Sequence, residues 1–152
     1  MRTDKMMADF QFLGNRVSKL NLDTRLVEPR GRVDISFDTD YNIKESQEPG
    51  VRYLGILELI IKVKATIKKK LLFKIELEME GAFTGDAEKL THEKFAEMLE
   101  MNGLITLLQI SRAYILSVTC QSGINPPVKM PMINVFKLRE QKKSQLRPLS
   151  KR

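Results

Sequence analysis

The residues able to carry out chemistry are few in this chain of 152 residues. It contains a single histidine, His92, and a single cysteine, Cys120. These two side chains cannot supply the His and Cys ligand set of a zinc site, and they leave little basis for a Ser-His or Cys-His catalytic arrangement. A single cysteine also excludes an internal disulfide. The composition therefore predicts a non-enzymatic protein without a metal or other cofactor.

Three glutamates, Glu76, Glu78 and Glu80, alternate with apolar residues along one segment. Paired carboxylates can act as general acid and base, but only where their surroundings separate their pKa values. A spacing of two residues on a half-exposed strand provides no such burial. We therefore interpret this row as the solvated face of a sheet.

The formal net charge of +7 is concentrated at one end of the chain. Residues 137–152 contain seven Lys and Arg residues and one acid, Glu140. We therefore predict a nearly neutral domain over residues 1–138 and a basic tail over residues 139–152. Basic terminal segments can bind phosphates, which makes a nucleic-acid-binding module the alternative function, although a solvated chain end explains the same composition.

Nothing in the sequence predicts secretion or membrane insertion. Residues 1–9 are polar and charged, unlike a signal peptide. The most apolar segment, residues 104–118, is interrupted by Gln109 and Arg112 and is shorter than the roughly 20 apolar residues that span a bilayer. With 42% hydrophobic and 30% charged residues, the chain is typical of a folded domain, and we expect it in the cytoplasm.

An alternation of apolar and polar residues predicts four β-strands in the first part of the chain. They begin near Phe10, Val33, Val51 and Leu71, and the third runs to about Lys68. The apolar faces of the third and fourth strands both reach the core only if odd-numbered residues oppose odd-numbered ones. This parity excludes a simple two-residue turn and predicts either a loop with an odd number of residues or a β-bulge.

Helical spacing replaces the alternation after residue 86. Thr91 is the predicted N-cap, and Asn102-Gly103 is expected to interrupt or kink the helix. From residue 104 to 118 the helix has no wholly polar face, and such a helix must be buried all round. One sheet covers one side only, so we expect a second subunit to cover the other. The predicted oligomer interface consists of Leu104, Leu108 and Ile115. The guanidinium of Arg112 is expected to bind a structural carboxylate or backbone carbonyls.

Proline and glycine residues end this helix and shape the rest of the chain. Ser122-Gly123 is expected to stop the helix, and residues 128–131 are expected to run extended after Pro127. A short amphipathic helix is predicted from Ile133 to about residue 145. The order of elements predicts an α+β fold, in which a four-stranded antiparallel sheet is packed by a long broken helix and a short C-terminal helix.

The segment after the long helix also suggests a binding surface. Met130 and Met132 flank Pro131, and the apolar residues Val135 and Phe136 follow closely. Methionine is flexible and polarisable, and it is common on binding surfaces that accept varied partners. The set therefore indicates an adaptable apolar groove, while core filling explains each methionine equally well.

The order of these elements resembles the SecB protein-export chaperones from about Phe10 to about Leu138. The resemblance is carried by Phe-Gln-Phe at residues 10–12, by Phe-Lys-Ile-Glu at residues 73–76 and by Gly-Ala-Phe at residues 81–83. It continues with Ser-Arg-Ala-Tyr-Ile at residues 111–115 and with the Pro-rich link that ends in Ile-Asn-Val at residues 133–135. In this order the segments form a fairly specific pattern.

The resemblance implies a homotetramer built as a dimer of dimers, with the long helices held between sheets. It also implies an ATP-independent holdase that binds unfolded or precursor polypeptides in apolar grooves and delivers them to the SecA translocase motor. Relatives linked to toxin–antitoxin systems instead hold an aggregation-prone antitoxin. The client-binding residues expected on this basis are Leu26, Val27, Met130, Met132, Val135 and Phe136.

Two acidic positions match the translocase-binding surface of the SecB family, Glu76 on the fourth strand and Asp23 on the first. A third acidic position of that surface is occupied by Lys19, which reverses its charge. The chain end is also basic where the best-known members end in acidic residues. Holding unfolded chains is therefore better supported than delivery to SecA, and both general export and an antitoxin-type client stay open.

Overall fold

The computed structural model describes residues 1–26, 30–46 and 52–147. A short 3-10 turn, Thr3–Met6, precedes four strands and two helices. These elements are β1 (Phe10–Thr24), β2 (Val33–Ser46), β3 (Arg52–Ile67), β4 (Lys70–Asp86), α1 (His92–Gln121) and α2 (Val135–Leu146). The strands form one antiparallel sheet in the order β1-β4-β3-β2. The predicted α+β fold is confirmed.

The core lies between one face of this sheet and α1. Alternate residues of β3 and β4 point towards the helix and are almost fully buried, as the period of two predicts. They include Leu57, Leu59, Ile61, Val63, Ile75, Leu77, Met79 and Phe83. By length and composition alone, α1 is long and apolar enough to cross a membrane. Nine of its residues are buried in this core, which is typical of the central helix of a folded domain.

Helix α1 is continuous, so the predicted interruption at Asn102-Gly103 is wrong. The helix passes through both residues and extends over 30 residues in total. Gly103 is buried, and a Cβ atom at this position would lie 3.1 Å from Cδ2 of Leu57 on β3. The glycine thus allows the helix to approach the sheet closely, although it lowers helix propensity by about 1 kcal/mol. Thr91 is the N-cap, as predicted, and accepts a hydrogen bond from the backbone N–H of Lys94 at 3.2 Å.

The predicted oligomer interface lies inside the single chain. Leu104, Leu108 and Ile115 are only 0%, 7% and 1% exposed because other residues of the same chain cover them, and all three belong to its core. The structure therefore corrects the prediction that a second subunit buries them. An aspartate at Leu108 or Ile115 would unfold the monomer rather than report on association. The apolar side chains on the outward face of α1 are instead Ile105 and Leu116, which are both exposed.

The β3–β4 hairpin combines a two-residue turn with a bulge. Lys68 and Lys69 form the turn, so the predicted loop with an odd number of residues is wrong. Leu72 is the extra residue of a bulge that restores the pairing of Ala65 with Phe73, which confirms the alternative prediction. Lys68 and Lys69 both adopt positive φ angles, 48° and 65°. Turns of this kind favour Asn-Gly, because other side chains clash with the backbone in the left-handed conformation.

The predicted boundary between residues 138 and 139 falls inside α2. The C-terminal helix starts and ends close to where the sequence predicts, and its middle is ion-paired to the rest of the protein. The Nε atom of Arg139 lies 3.2 Å from Oε1 of Glu100 on α1. The Nζ atom of Lys142 lies 2.8 Å from Oδ1 of Asp40 on β2. The chain as far as residue 146 therefore belongs to the folded domain. The last five residues of the predicted tail lie outside the described residues.

We expect the double substitution K68N/K69G to stabilise the protein. Asn-Gly removes the backbone strain of the turn, so the free energy of unfolding should rise by about 1 kcal/mol and Tm by about 3 °C. Thermal unfolding at a fixed protein concentration measures the change. The matched control is K68Q/K69Q, which removes the same two charges and keeps the strain. An equal rise in Tm for both variants would show that charge repulsion, not backbone strain, destabilises this turn.

Candidate functional site

An open cleft of about 540 Å³ lies where β2 begins and α1 ends. Its walls come from the end of β1, the first half of β2, the start of β4 and the link between α1 and α2, residues 122–134. The apolar side chains that line it are Leu26, Val33, Ile35, Phe37, Leu72, Phe73, Ile124, Pro126, Pro127 and Val128. Leu26 is exposed, and Val33 and Ile35 are 42% and 46% exposed. The described residues thus leave an apolar surface uncovered at this site.

The cleft forms because α1 does not cover the first part of β2. The helix packs mainly on β3 and β4, whereas β2 lies at the edge of the sheet. Val33 and Ile35 stand opposite Ile67 and Ala65, which are both buried. The apolar face of the sheet therefore continues from β3 onto β2 beyond the reach of the helix.

The link that closes the other side of the cleft is fixed to the end of α1 by Thr119. This residue is fully buried, and its hydroxyl accepts a hydrogen bond from the backbone N–H of Val128 at 2.9 Å while donating to the carbonyl of Ile115 at 2.7 Å. Its own carbonyl accepts a third bond from the N–H of Ile124. Gly123, with a φ of 77°, provides the reversal that this arrangement requires. The link is therefore part of the scaffold of the cleft.

The edge of β2 adds a backbone feature to the apolar wall. Among the described strands, β2 pairs with β3 alone. The outer edge of Val33 to Phe37 therefore presents backbone N–H and C=O groups beside apolar side chains. An extended polypeptide can add to such an edge as a further strand, with main-chain hydrogen bonds that do not depend on its sequence.

The predicted client-binding residues are divided between this cleft and other parts of the structure. Leu26 lines the cleft, and Val27 lies outside the described residues. Met132 and Phe136 are exposed on a second surface beside α1, where Met132 and Val135 line a small hollow of about 90 Å³. Met130 is only 2% exposed and belongs to the core, so its assignment to an exposed groove is corrected.

Arg112 holds the link between the two surfaces. Its Nε donates to the backbone carbonyl of Met130 at 3.2 Å, and its Nη1 lies 2.9 Å from the sulfur of Met132. The carbonyl contact agrees with one of the two predictions made for this guanidinium. Sequence reasoning missed the walls of the cleft that Val33, Ile35 and the link contribute. Their alternating pattern indicated a half-buried strand, but it could not reveal that the helix leaves this strand uncovered.

The acidic residues assigned to translocase binding are neutralised by their neighbours. Glu76 and Asp23 lie on adjacent strands, β4 and β1. The amino group of Lys19 lies 3.2 Å from the carboxylate of Glu76, and the guanidinium of Arg25 is paired with Asp23. The hydrogen bond from Lys19 lowers the pKa of Glu76 below its ordinary value. This surface therefore presents paired charges rather than a free acidic patch.

A second group of charges attaches α2 to the sheet. The hydroxyl of Tyr41 donates to Glu100 at 2.6 Å, and Glu100 also accepts from Arg139. Burial would raise the pKa of Glu100, but the hydrogen bonds from Tyr41 and Arg139 lower it below the ordinary value. Burial and the bond to Glu100 raise the pKa of Tyr41 well above its ordinary value. Burial also opposes ionisation of Asp40, yet its bond to Lys142 leaves the pKa of Asp40 lowered.

Comparisons with known proteins identify the fold. No protein-family model and no curated protein matches the sequence. A SecB-like chaperone of Mycobacterium tuberculosis, solved in complex with a ChAD peptide from the HigA1 antitoxin, superimposes with a TM-score of 0.63 over 83% of this chain and 91% of that chain. The two sequences share 13% identity. A protein of unknown function from Streptococcus agalactiae gives a TM-score of 0.48 at 14% identity, over 81% and 97% of the two chains. The chain therefore has a SecB-like fold.

We expect the attachment of α2 to weaken at low pH. The ionised carboxylates of Glu100 and Asp40 pair with Arg139 and Lys142 on α2, and the pKa values of both carboxylates are lowered in the folded protein. The ion pairs therefore stabilise the fold fully above the unfolded-state pKa values, and this stabilisation is lost as pH falls through the folded-state values. Amide exchange in α2, corrected for its intrinsic pH dependence, should therefore accelerate by about tenfold below about pH 4.

The variant E100Q isolates the contribution of Glu100. It should exchange faster in α2 already at neutral pH, because Arg139 loses its charged partner, and should show a smaller further change on acidification. The control is E97Q, an exposed carboxylate on the same helix. If E97Q and E100Q change the exchange of α2 equally, the attachment does not depend on the Tyr41–Glu100–Arg139 contacts.

Proposed function

We propose that this protein is an ATP-independent holdase that binds unfolded polypeptide segments in the cleft between β2 and the link after α1. The observation that carries the proposal is the coincidence of an exposed apolar wall with the unpaired edge of β2. An extended segment placed there would gain main-chain hydrogen bonds from the edge and apolar burial from alternate side chains. The SecB-like fold supports the proposal, since a chaperone of this fold has been solved with an antitoxin peptide.

A binding function also agrees with the chemistry available in the structure. Within residues 1–26, 30–46 and 52–147, no group of three or more His, Cys, Asp and Glu side chains is placed to hold a metal ion. His92 packs edge-on against the ring of Tyr53, and Cys120 lies exposed near the end of α1. We also propose a cytoplasmic location and a non-enzymatic role, in which selectivity comes from shape and charge.

Of the two client types, we favour a dedicated client of the antitoxin type over general export. Delivery to a SecA motor would rest on the acidic surface that contains Glu76 and Asp23. Lys19 and Arg25 compensate these carboxylates within the chain. Cationic surfaces of a partner would therefore be attracted less strongly than by free acids.

The nucleic-acid alternative loses part of its basis in the folded domain. Arg139 and Lys142, two of the seven basic residues from 137 to 152, are already paired with Glu100 and Asp40. Their side chains are only 17% and 20% exposed, so contact with a phosphate backbone would require breaking these ion pairs. A polypeptide-binding function needs no such change.

We expect V33N/I35N to weaken client binding while the protein stays folded. Both side chains are exposed in the cleft, so the substitutions remove apolar contact with the client at little cost to the core. The affinity for an unfolded client, measured by suppression of its aggregation without ATP, should fall by about tenfold. The variant M132N/F136N makes an equivalent change on the second surface. Unchanged client affinity in V33N/I35N and a loss in M132N/F136N would move the binding site to the second surface.

We also propose that the protein is a homotetramer built as a dimer of dimers. The support is the outward face of α1, where Ile105 and Leu116 project in the same direction and are both exposed. Met132 lines the same hollow as Ile105 and is 74% exposed, so it extends this apolar surface. Exposed apolar patches of this kind are typical of subunit interfaces.

The variant I105D/L116D tests this assembly. Unlike Leu108 and Ile115, these two residues are exposed in the single chain, so the aspartates should dissociate the oligomer and leave each subunit folded. Light scattering coupled to gel filtration gives the mass, and circular dichroism confirms folding. A wild-type protein that is a monomer at micromolar concentration would contradict the proposed tetramer.

A further inference from the structure

Basic side chains gather around the mouth of the apolar cleft. Within the described residues, the exposed cations at this end of the sheet include Arg25, Arg32, Lys68, Lys69, Lys70 and Lys129. Arg25 and Lys129 line the cleft itself. The turn of the β3–β4 hairpin adjoins the start of β2, since Cε of Lys68 lies 3.6 Å from the position of a Cβ atom on Gly31.

Most of this positive charge is not compensated by the carboxylates that the structure describes. Asp23 pairs with Arg25, and Asp34 lies 3.9 Å from Arg32. The four lysines make no ion pair with any described carboxylate. On the adjoining strands, Lys64 of β3 stands directly opposite Lys74 of β4, and the repulsion between these like charges disfavours the pairing of the two strands. The cleft therefore combines an apolar wall with a strongly cationic rim.

The positive charge of the β3–β4 turn comes at a cost in stability, because both of its lysines adopt a strained backbone conformation. Lys68 and Lys69 occupy positive-φ positions where Asn and Gly would be less strained. Backbone strain of this kind clusters at functional sites. Both lysine side chains are exposed, so a function for them lies outside the chain.

We infer that the cleft selects polypeptide segments whose apolar core is flanked by Asp or Glu residues. This inference rests on the proposed holdase function and specifies its substrate class. The apolar core binds along Val33 and Ile35, and the acidic flanks approach Lys129 and the lysines of the turn. Complementary charge accelerates association and discriminates against basic segments. Nucleic acid fits the site less well, because the lining of the cleft is mainly aliphatic and proline side chains rather than exposed aromatic rings on which bases stack.

Three fluorescent peptides test the preference with the full-length protein. All share one apolar core of about eight residues and differ only in flanks made of Asp and Glu, of Ser and Gly, or of Lys and Arg. Anisotropy titrations should give about tenfold tighter binding of the acidic peptide than of the neutral one at about 50 mM salt, and about twofold at about 500 mM. The basic peptide should bind most weakly.

The variant K68N/K69G/K129Q removes three cations from the rim, with turn residues that suit the backbone. It should lose most of the preference for the acidic peptide while binding the neutral peptide as the wild type does. The matched control R52Q/K94Q/K137Q removes three exposed cations from other parts of the surface and should keep the preference. Loss of the preference in both variants would show that net charge, not the rim, is responsible, and would overturn the inference.

The remaining outcomes separate the inference from the function on which it rests. Equal affinity for the acidic and neutral peptides at low salt would overturn the charge preference and leave the holdase proposal intact. Failure of all three peptides to bind would overturn both. A single-stranded oligonucleotide that displaces the acidic peptide and binds more tightly than it, with loss of binding in K68N/K69G/K129Q, would identify a polyanion surface and overturn the inference.

Discussion

A single helix about 10 Å wide has to cover a sheet whose four strands are spaced about 4.8 Å apart, and it cannot cover all of them. Helix α1 lies over β3 and β4, where the apolar face is continuous, and most of the core is formed there. The edge strand β2 receives cover from α2 near Asp40 but not near Val33. The cleft is thus the part of the apolar sheet that α1 and α2 leave uncovered.

The sequence alone was enough to predict the elements, because alternation and helical spacing are local signals. The strands, the cap at Thr91 and the C-terminal helix follow from neighbouring residues. The environment of each apolar side chain depends on distant elements and was harder to predict. Leu104 and Ile115 were assigned to an interface although the sheet buries them, and Met130 was assigned to a groove although Arg112 and the core enclose its segment. Gly103 was read as a break because a close approach between helix and sheet leaves no trace in local spacing.

Charges in this protein fall into two groups with different roles. In one group, opposite charges are paired within the chain, as in Lys19 with Glu76 and Arg139 with Glu100, and they fix the position of elements. In the other, like charges have no partner among the described carboxylates, as in the lysines of the β3–β4 turn. The first group compensates the carboxylates on the acidic face of the sheet, and the second makes one end of the molecule strongly positive. A net charge near neutrality for most of the chain therefore conceals a marked separation of charge.

The link between the helices is a wall shared by both apolar surfaces. Its first part, at Ile124 to Lys129, borders the cleft, and its last part, at Pro131 to Ile133, borders the hollow beside the outward face of α1. Thr119 and Arg112 fasten it at two points to one rigid helix. A ligand that displaces the link on one side must therefore alter the surface on the other, and by thermodynamic linkage the reverse holds with the same coupling free energy. The proposed subunit association and the proposed client binding would in this way both depend on the position of one short segment.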